Sequence, residues 1–89
     1  MKSVQSPTYK AAIEVLKAAR EKAGITQQEL AKRLRRPQSF VAKYEHHERR
    51  IDAAEFIEIA LAIKADPIAL FSAIVRQHDT AKRPPRTRR

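Results

Sequence analysis

The side chains most able to do chemistry in this 89-residue chain are its cations. Lysine and arginine number 19 against 10 acids, a formal net charge of +9. The excess is uneven: residues 32–50 hold seven basic side chains against two glutamates (+5), whereas residues 52–75 hold four acids against one lysine (−3). One part of the fold is therefore positive and another is not, and a polyanion is the natural partner of the positive part.

Groups that support catalysis or metal binding are sparse. The chain has no cysteine, so neither a disulfide nor a thiolate metal site is expected. His46, His47 and His78 lack an acid or cysteine at a familiar zinc spacing. No Ser-His-Asp order, glycine-rich phosphate loop or carboxylate pair marks a pocket. We therefore expect a binding protein without cofactor or metal, and not an enzyme.

Helices must position these cations, because the chain has one glycine and no alternating strand pattern. Apolar residues at spacings of three and four predict a first helix, with one face formed by Tyr9, Ala12, Ile13, Leu16, Ala19 and Ala23. Gly24 is a typical helix end. Thr26 and Glu29 have the spacing of a capping box, in which each side chain bonds the other's backbone N–H, and predict the start of a second helix.

Three more helices are predicted after a short break. Pro37 disfavours helical backbone in the residue before it but is tolerated where a helix begins, which predicts a third helix over 38–45. Asp52 and Glu55 repeat the capping-box spacing before a fourth helix, and Asp66-Pro67 begins a fifth. No segment is apolar for long enough to cross a bilayer or to resemble a signal peptide.

The expected domain organisation is one folded unit over residues 9–78, since 89 residues are too few for two independent cores. Residues 1–8 are predicted to be flexible and residues 79–89 to form a basic, disordered tail. From Lys82 onward the tail has no apolar side chain to bury. Its arginines either contact phosphates without sequence preference or are simply solvated.

Two segments carry a resemblance to a known family. The sequence TQQELAKRL at 26–34, followed by PQSFVAKYE at 37–45, resembles the Cro and phage-repressor helix-turn-helix family, also called the XRE family. The likeness continues to Ala65-Asp66-Pro67 and covers roughly residues 12–71. It implies a lambda-repressor-like domain of five helices, with a helix-turn-helix formed by the second and third. It also implies that the third helix enters the DNA major groove.

The resemblance implies two sets of contacts with DNA. Base edges would be read by Gln38, Ser39, Ala42 and Lys43. Phosphates would be contacted by Gln27, Arg35, Arg36, His46, Arg49 and Arg50. A glutamine at the start of the recognition helix suits adenine, because its amide can bond both N6 and N7. Phe40 has two interpretations: it touches a thymine methyl, or it packs inside the domain.

Two further expectations concern the scaffold. In the family, residues matching Arg20 and Glu45 commonly form a partly buried ion pair, although here they could also be two solvated charges. Glycine is usual where Arg35 and His47 stand, since both positions tend to need left-handed backbone. A residue with a side chain adopts that backbone at a cost of about 1–2 kcal/mol.

The sequence thus predicts a regulator of transcription that binds specific sites in double-stranded DNA, most simply a repressor of prokaryotic or phage type, acting in the cytoplasm. One recognition helix covers few base pairs, so a homodimer on two half-sites is expected. Ile74 and Val75 either form the interface or complete the core. One alternative is an antitoxin that represses its own operon; another is an RNA-binding protein that uses the arginine-rich tail.

Overall fold

The structure is a computed structural model that describes residues 6–82, and the side chains of residues 6–79. Five helices follow one another through this part of the chain, and it contains no strand. They are α1 (Pro7–Lys22), α2 (Gln27–Leu34), α3 (Gln38–Glu45), α4 (Ala53–Ala62) and α5 (Pro67–Lys82). The expected all-α class with five helices is confirmed.

The starts of α2 and α4 depend on side-chain caps. At α4 the capping box is complete, because Asp52 accepts from the Glu55 N–H (2.8 Å) and Glu55 accepts from the Asp52 N–H (3.0 Å). At α2 only half of the predicted box forms. Thr26 accepts from the Glu29 N–H, but the Glu29 carboxylate pairs with Arg33 one turn later (3.0 Å). An i,i+4 ion pair on the helix surface competes with the cap for that carboxylate.

Helices α1 to α4 all end in a residue with left-handed backbone. These residues are Gly24 (φ 74°), Arg35 (59°), His47 (64°) and Lys64 (60°). In each case the next N–H donates to a carbonyl five residues earlier, at 2.8–3.2 Å, which satisfies groups at the helix end. Arg35 and His47 thus keep the turn geometry that glycine would favour and bear its backbone cost. Lys64 is a third such position and was not predicted from the sequence.

The core lies where the helices cross. Its largest fully buried side chains are Ile13, Leu16, Leu30, Val41, Tyr44 and Ile59. Helix α1 packs on α3 and α5, α2 on α3 and α4, and α4 on α5. Of the two α5 residues with open interpretations, Ile74 is buried and completes the core, whereas Val75 is 44 % exposed. The apolar pattern therefore divides α5 into an inner and an outer face.

The helical domain is longer than predicted at both ends. Helix α1 begins at Pro7, because Ser6 caps it by accepting from the Tyr9 N–H (3.1 Å). Helix α5 continues past residue 78 to Lys82, within the segment expected to be disordered. A hydrogen bond between Thr8 Oγ1 and His78 Nδ1 (2.7 Å) joins the two end segments. The rest of both predicted tails, 1–5 and 83–89, lies outside the described residues.

Candidate nucleic-acid interface

Helices α2 and α3, joined by a three-residue turn, form the helix-turn-helix. Helix α3 is amphipathic. Its buried side chains are Phe40, Val41, Tyr44 and Glu45. The four predicted base-reading residues lie on the rest of its surface. Gln38, Ser39 and Lys43 are exposed, and Ala42 is half-buried between them and the core. Their side chains are thus brought to one outward face of a short helix.

A buried ion pair fixes α3 against α1. Arg20 Nε and Nη2 donate to the two carboxylate oxygens of Glu45 at 2.7 and 2.9 Å, and both residues are less than 10 % exposed. Arg20 Nη1 also donates to the Ile25 carbonyl (2.7 Å). The hydrogen bonds to Glu45 raise the pKa of the Arg20 guanidinium above its ordinary value. Such a bidentate pair has a fixed geometry, so it sets the orientation of α3.

The side chain of Gln27, a predicted phosphate ligand, is hydrogen-bonded to the buried ion pair of Arg20 with Glu45. Its Nε2 donates to Glu45 Oε1 at 2.9 Å, and its side chain is half-buried. The resemblance predicts a phosphate contact at this position. One amide hydrogen is already committed to Glu45, so only the remainder of the amide is available to DNA in this arrangement.

Arg36 and Arg49, two of the predicted phosphate ligands, meet at the carboxylate of Glu55. Arg36 Nη2 donates to Glu55 at 3.0 Å, and Arg49 donates through Nη1 and Nη2 at 3.2 Å each. Both guanidinium groups also lie over the Phe40 ring, at 4.2 and 4.8 Å from its centroid. The hydrogen bonds from Arg49 lower the pKa of Glu55 below its ordinary value, although burial opposes this. Phe40 itself is only 7 % exposed, which favours its interpretation as a packing residue.

The remaining predicted phosphate ligands are more dispersed. Arg35 is exposed at the end of α2, and His46 is exposed directly after α3. Both therefore flank the outward face of α3. Arg50 is directed elsewhere: its guanidinium lies 4.4 Å from the ring centroid of Tyr9, in α1.

Comparison with known proteins decides the family. The helix-turn-helix family model matches residues 16–70. A solved XRE-family like protein from Pseudomonas syringae pv. tomato str. DC3000 is 47 % identical, over 85 % of this chain and 93 % of that one, with a TM-score of 0.79. This chain belongs to the XRE family of helix-turn-helix proteins. Chains of this family are DNA-binding regulators of transcription, and the recognised segment includes every predicted interface residue.

More distant structures share the XRE fold. A point mutant of the restriction-modification controller protein C.Esp1396I is 19 % identical, over 84 % of this chain and 95 % of that one, with a TM-score of 0.75. The tetramer of that controller, solved in complex with its natural 35 base-pair operator, is 18 % identical over 82 % and 96 %, with a TM-score of 0.74. Among proteins with curated descriptions, no sequence matches this XRE-family chain.

Within residues 6–79 no three histidine or acidic side chains are grouped as a metal site would require. No helix in the described part of the chain is long and apolar enough to span a membrane.

Helix α3 also contains a buried hydroxyl group without a hydrogen-bond partner among the described residues. Tyr44 is fully buried, and its hydroxyl has no hydrogen-bond partner among the described residues. Burial raises the pKa of this phenol above its ordinary value. The hydroxyl therefore lost its hydrogen bonds to water on folding without an equivalent replacement, which is destabilising.

We expect Tyr44→Phe to stabilise the domain by about 1 kcal/mol, because it removes only the unsatisfied hydroxyl. Tyr9→Phe is the matched control with the opposite sign. The Tyr9 hydroxyl accepts from the Ile51 N–H at 3.0 Å, so its loss should cost about 1 kcal/mol. Urea denaturation followed by circular dichroism measures both changes. An equal loss of stability in the two variants would show that Tyr44 has a hydrogen-bond partner after all.

Proposed function

We propose that this XRE-family protein binds specific sites in double-stranded DNA by placing α3 in the major groove, and that it acts as a repressor. The observation that carries the proposal is the outward face of α3, where Gln38, Ser39 and Lys43 are exposed together. The opposite face of the same helix is anchored by the buried pair of Glu45 with Arg20. A helix held rigidly from behind presents these side chains at a defined spacing, as base recognition requires.

Each side chain on this face suits a particular part of a base pair. The Gln38 amide can bond adenine N6 and N7 together, which is worth about 1–3 kcal/mol of discrimination against another base. Lys43 can donate to guanine or to a phosphate, and Ser39 to several base edges. Ala42 can contact only the methyl group of thymine. The face is therefore able to distinguish a short run of base pairs.

Electrostatic attraction to phosphates would supply most of the affinity for DNA that does not depend on the base sequence. Residues 32–50 carry a balance of +5 in the segment that contains α3, and Arg35 and His46 flank its outward face. Each phosphate that a cation neutralises releases counterions, so binding should weaken steeply as salt concentration rises.

We further propose that the DNA-bound form is a homodimer. Helix α3 has eight residues and covers few base pairs, whereas two copies on half-sites about 34 Å apart would double the sequence that is read. Large apolar side chains are exposed on α4 and α5, namely Ile57, Leu61, Ile68, Phe71 and Val75. Of these, Ile57, Ile68, Phe71 and Val75 line an open groove of about 800 Å³, together with the start of α1. An apolar surface of this kind is typical of protein–protein contact.

Selection of bound sequences from a random duplex library tests the proposal. We expect one preferred site made of two half-sites with dyad symmetry. Gln38→Ala should then abolish the preference at one base pair of each half-site, with a loss there of about 1–3 kcal/mol. Gln77→Ala makes the same chemical change at an exposed position of α5 and should leave the preference unchanged. The absence of any preferred site, or equal effects of both substitutions, would refute base reading by α3.

A further inference from the structure

Glu55 is placed to control two cations that flank the recognition helix. Its side chain is 12 % exposed, and it accepts hydrogen bonds from Arg36, from Arg49 and from the backbone N–H of Asp52. These residues come from three places: the turn before α3, the loop after it, and the start of α4. A single carboxylate therefore joins the segments on both sides of α3.

The Phe40 ring also restricts the positions of the guanidinium groups of Arg36 and Arg49. It belongs to α3 and is buried, and the two guanidinium groups lie within 5 Å of its centroid. A carboxylate at the edge of a guanidinium and an aromatic ring against its face together restrict its position and its plane more tightly than either contact does alone. Arg36 and Arg49 remain 36 % and 41 % exposed, so they are ordered without being removed from the surface.

The charges of the cluster leave it able to bind an anion. Two guanidinium groups and one carboxylate sum to +1. The hydrogen bonds described for Arg36 use only Nη2, which leaves its Nε and Nη1 groups for an external acceptor. Guanidinium N–H groups match the geometry of phosphate oxygens.

We propose that Glu55 is a positioning residue, which together with Phe40 holds Arg36 and Arg49 as a pre-ordered pair of ligands for the DNA phosphodiester backbone beside α3. This inference rests on the proposed DNA-binding function and adds a defined role for an acid within it. Ordering two long side chains before binding removes that entropy cost from the binding step. The carboxylate thus strengthens binding to a polyanion that it repels.

Glu55 thus has two opposite effects on affinity for DNA: it orders two cations, and its own charge repels phosphate. Replacing it tests which effect is larger. Glu55→Gln makes the protein one unit more positive, which by long-range attraction alone would tighten binding. Glutamine also serves at this position of a capping box, so α4 keeps its cap. If Glu55 acts by positioning, E55Q should nevertheless weaken binding to the selected duplex by roughly tenfold, because one of the two arginines is no longer held in place and its phosphate contact is lost to the cost of ordering it on binding.

Glu58→Gln is the matched control, since it removes the same charge from an exposed position of the same helix. It should bind the duplex as tightly as the parent or slightly more tightly. The salt dependence separates positioning from a loss of folded protein. The slope of log Kd against log salt should fall by about one in E55Q, because one phosphate contact is lost, and should not fall in E58Q.

A double-mutant cycle with Arg49→Ala completes the experiment. If Glu55 acts through Arg49, E55Q should cost clearly less in the R49A background than in the parent. Binding of E55Q that is as tight as that of E58Q, with an unchanged salt slope, would overturn the positioning role while leaving the DNA-binding function intact. Additive losses in the cycle would overturn it as well. A parent protein that binds no duplex would instead refute the proposed function on which this inference rests.

Discussion

Replacing Arg20 by methionine is expected to lower the free energy of unfolding by about 3–5 kcal/mol, the usual cost of leaving one charge of a buried ion pair without its partner. Glu45 would remain only 4 % exposed, with the Gln27 amide as its one described side-chain donor. Methionine retains most of the apolar stem of arginine, so the loss reports mainly on the charge. Urea denaturation of the two proteins, followed by circular dichroism, measures the difference.

Arg33→Met is the control for this substitution. Arg33 pairs with Glu29 at the surface, where a salt bridge contributes at most about 1 kcal/mol, and its Nη1 donates to the Ala62 carbonyl at 2.7 Å. A hydrogen bond of this kind contributes about 1 kcal/mol, so the loss in R33M should stay well below that in R20M. The double variant Arg20→Met with Glu45→Met should regain much of the lost stability, because a buried ion pair can often be replaced by apolar side chains without loss. If R20M were no less stable than R33M, the pair would not be the connection that holds α3 against α1.

The helices were predictable because their start and end signals are local: capping residues, glycine and proline lie within a few positions of each helix end. The Asp52 and Glu55 spacing predicted the start of α4 because both caps are made within one turn, which is independent of the rest of the fold. Gly24 predicted the end of α1, and Pro37 the break before α3, for similarly local reasons. The end of α5 was less well predicted: residues 79–82 are helical, although they have little apolar character.

Contacts between distant residues account for what the sequence did not predict. Gln27 lies 18 positions before Glu45, and Arg36 lies 19 before Glu55. A list of basic and polar residues cannot show which of them already have a partner in the folded domain. Glu55 was identified only as a cap, because its second role exists only once the turn and loop around α3 come together. The sequence left Phe40 open between a thymine contact and packing, and neither interpretation placed its ring against the two arginines.

Substituting Ile68 and Phe71 by serine together is expected to abolish the proposed dimer and to weaken binding to a two-half-site operator by about 100-fold or more. Ile68 is 76 % exposed and Phe71 59 % exposed, so both are available to a partner. In a dimer the second α3 binds at high effective concentration once the first is bound, and this gain typically amounts to 10²–10⁴. Sedimentation velocity gives the oligomeric state, and fluorescence anisotropy gives the affinity for the operator.

Ala69→Ser is the matched control, because it changes an exposed residue between these two positions without removing a large apolar side chain. Phe71 also contacts Phe56 edge-to-face at 6.2 Å, so the variants are compared only where circular dichroism shows both to be folded. The double variant should keep the affinity of the parent for an isolated half-site, since α3 is unchanged. A parent that is monomeric on its operator would contradict the dimer. The exposed apolar face would then need a different protein to cover it, which is the arrangement that an antitoxin requires.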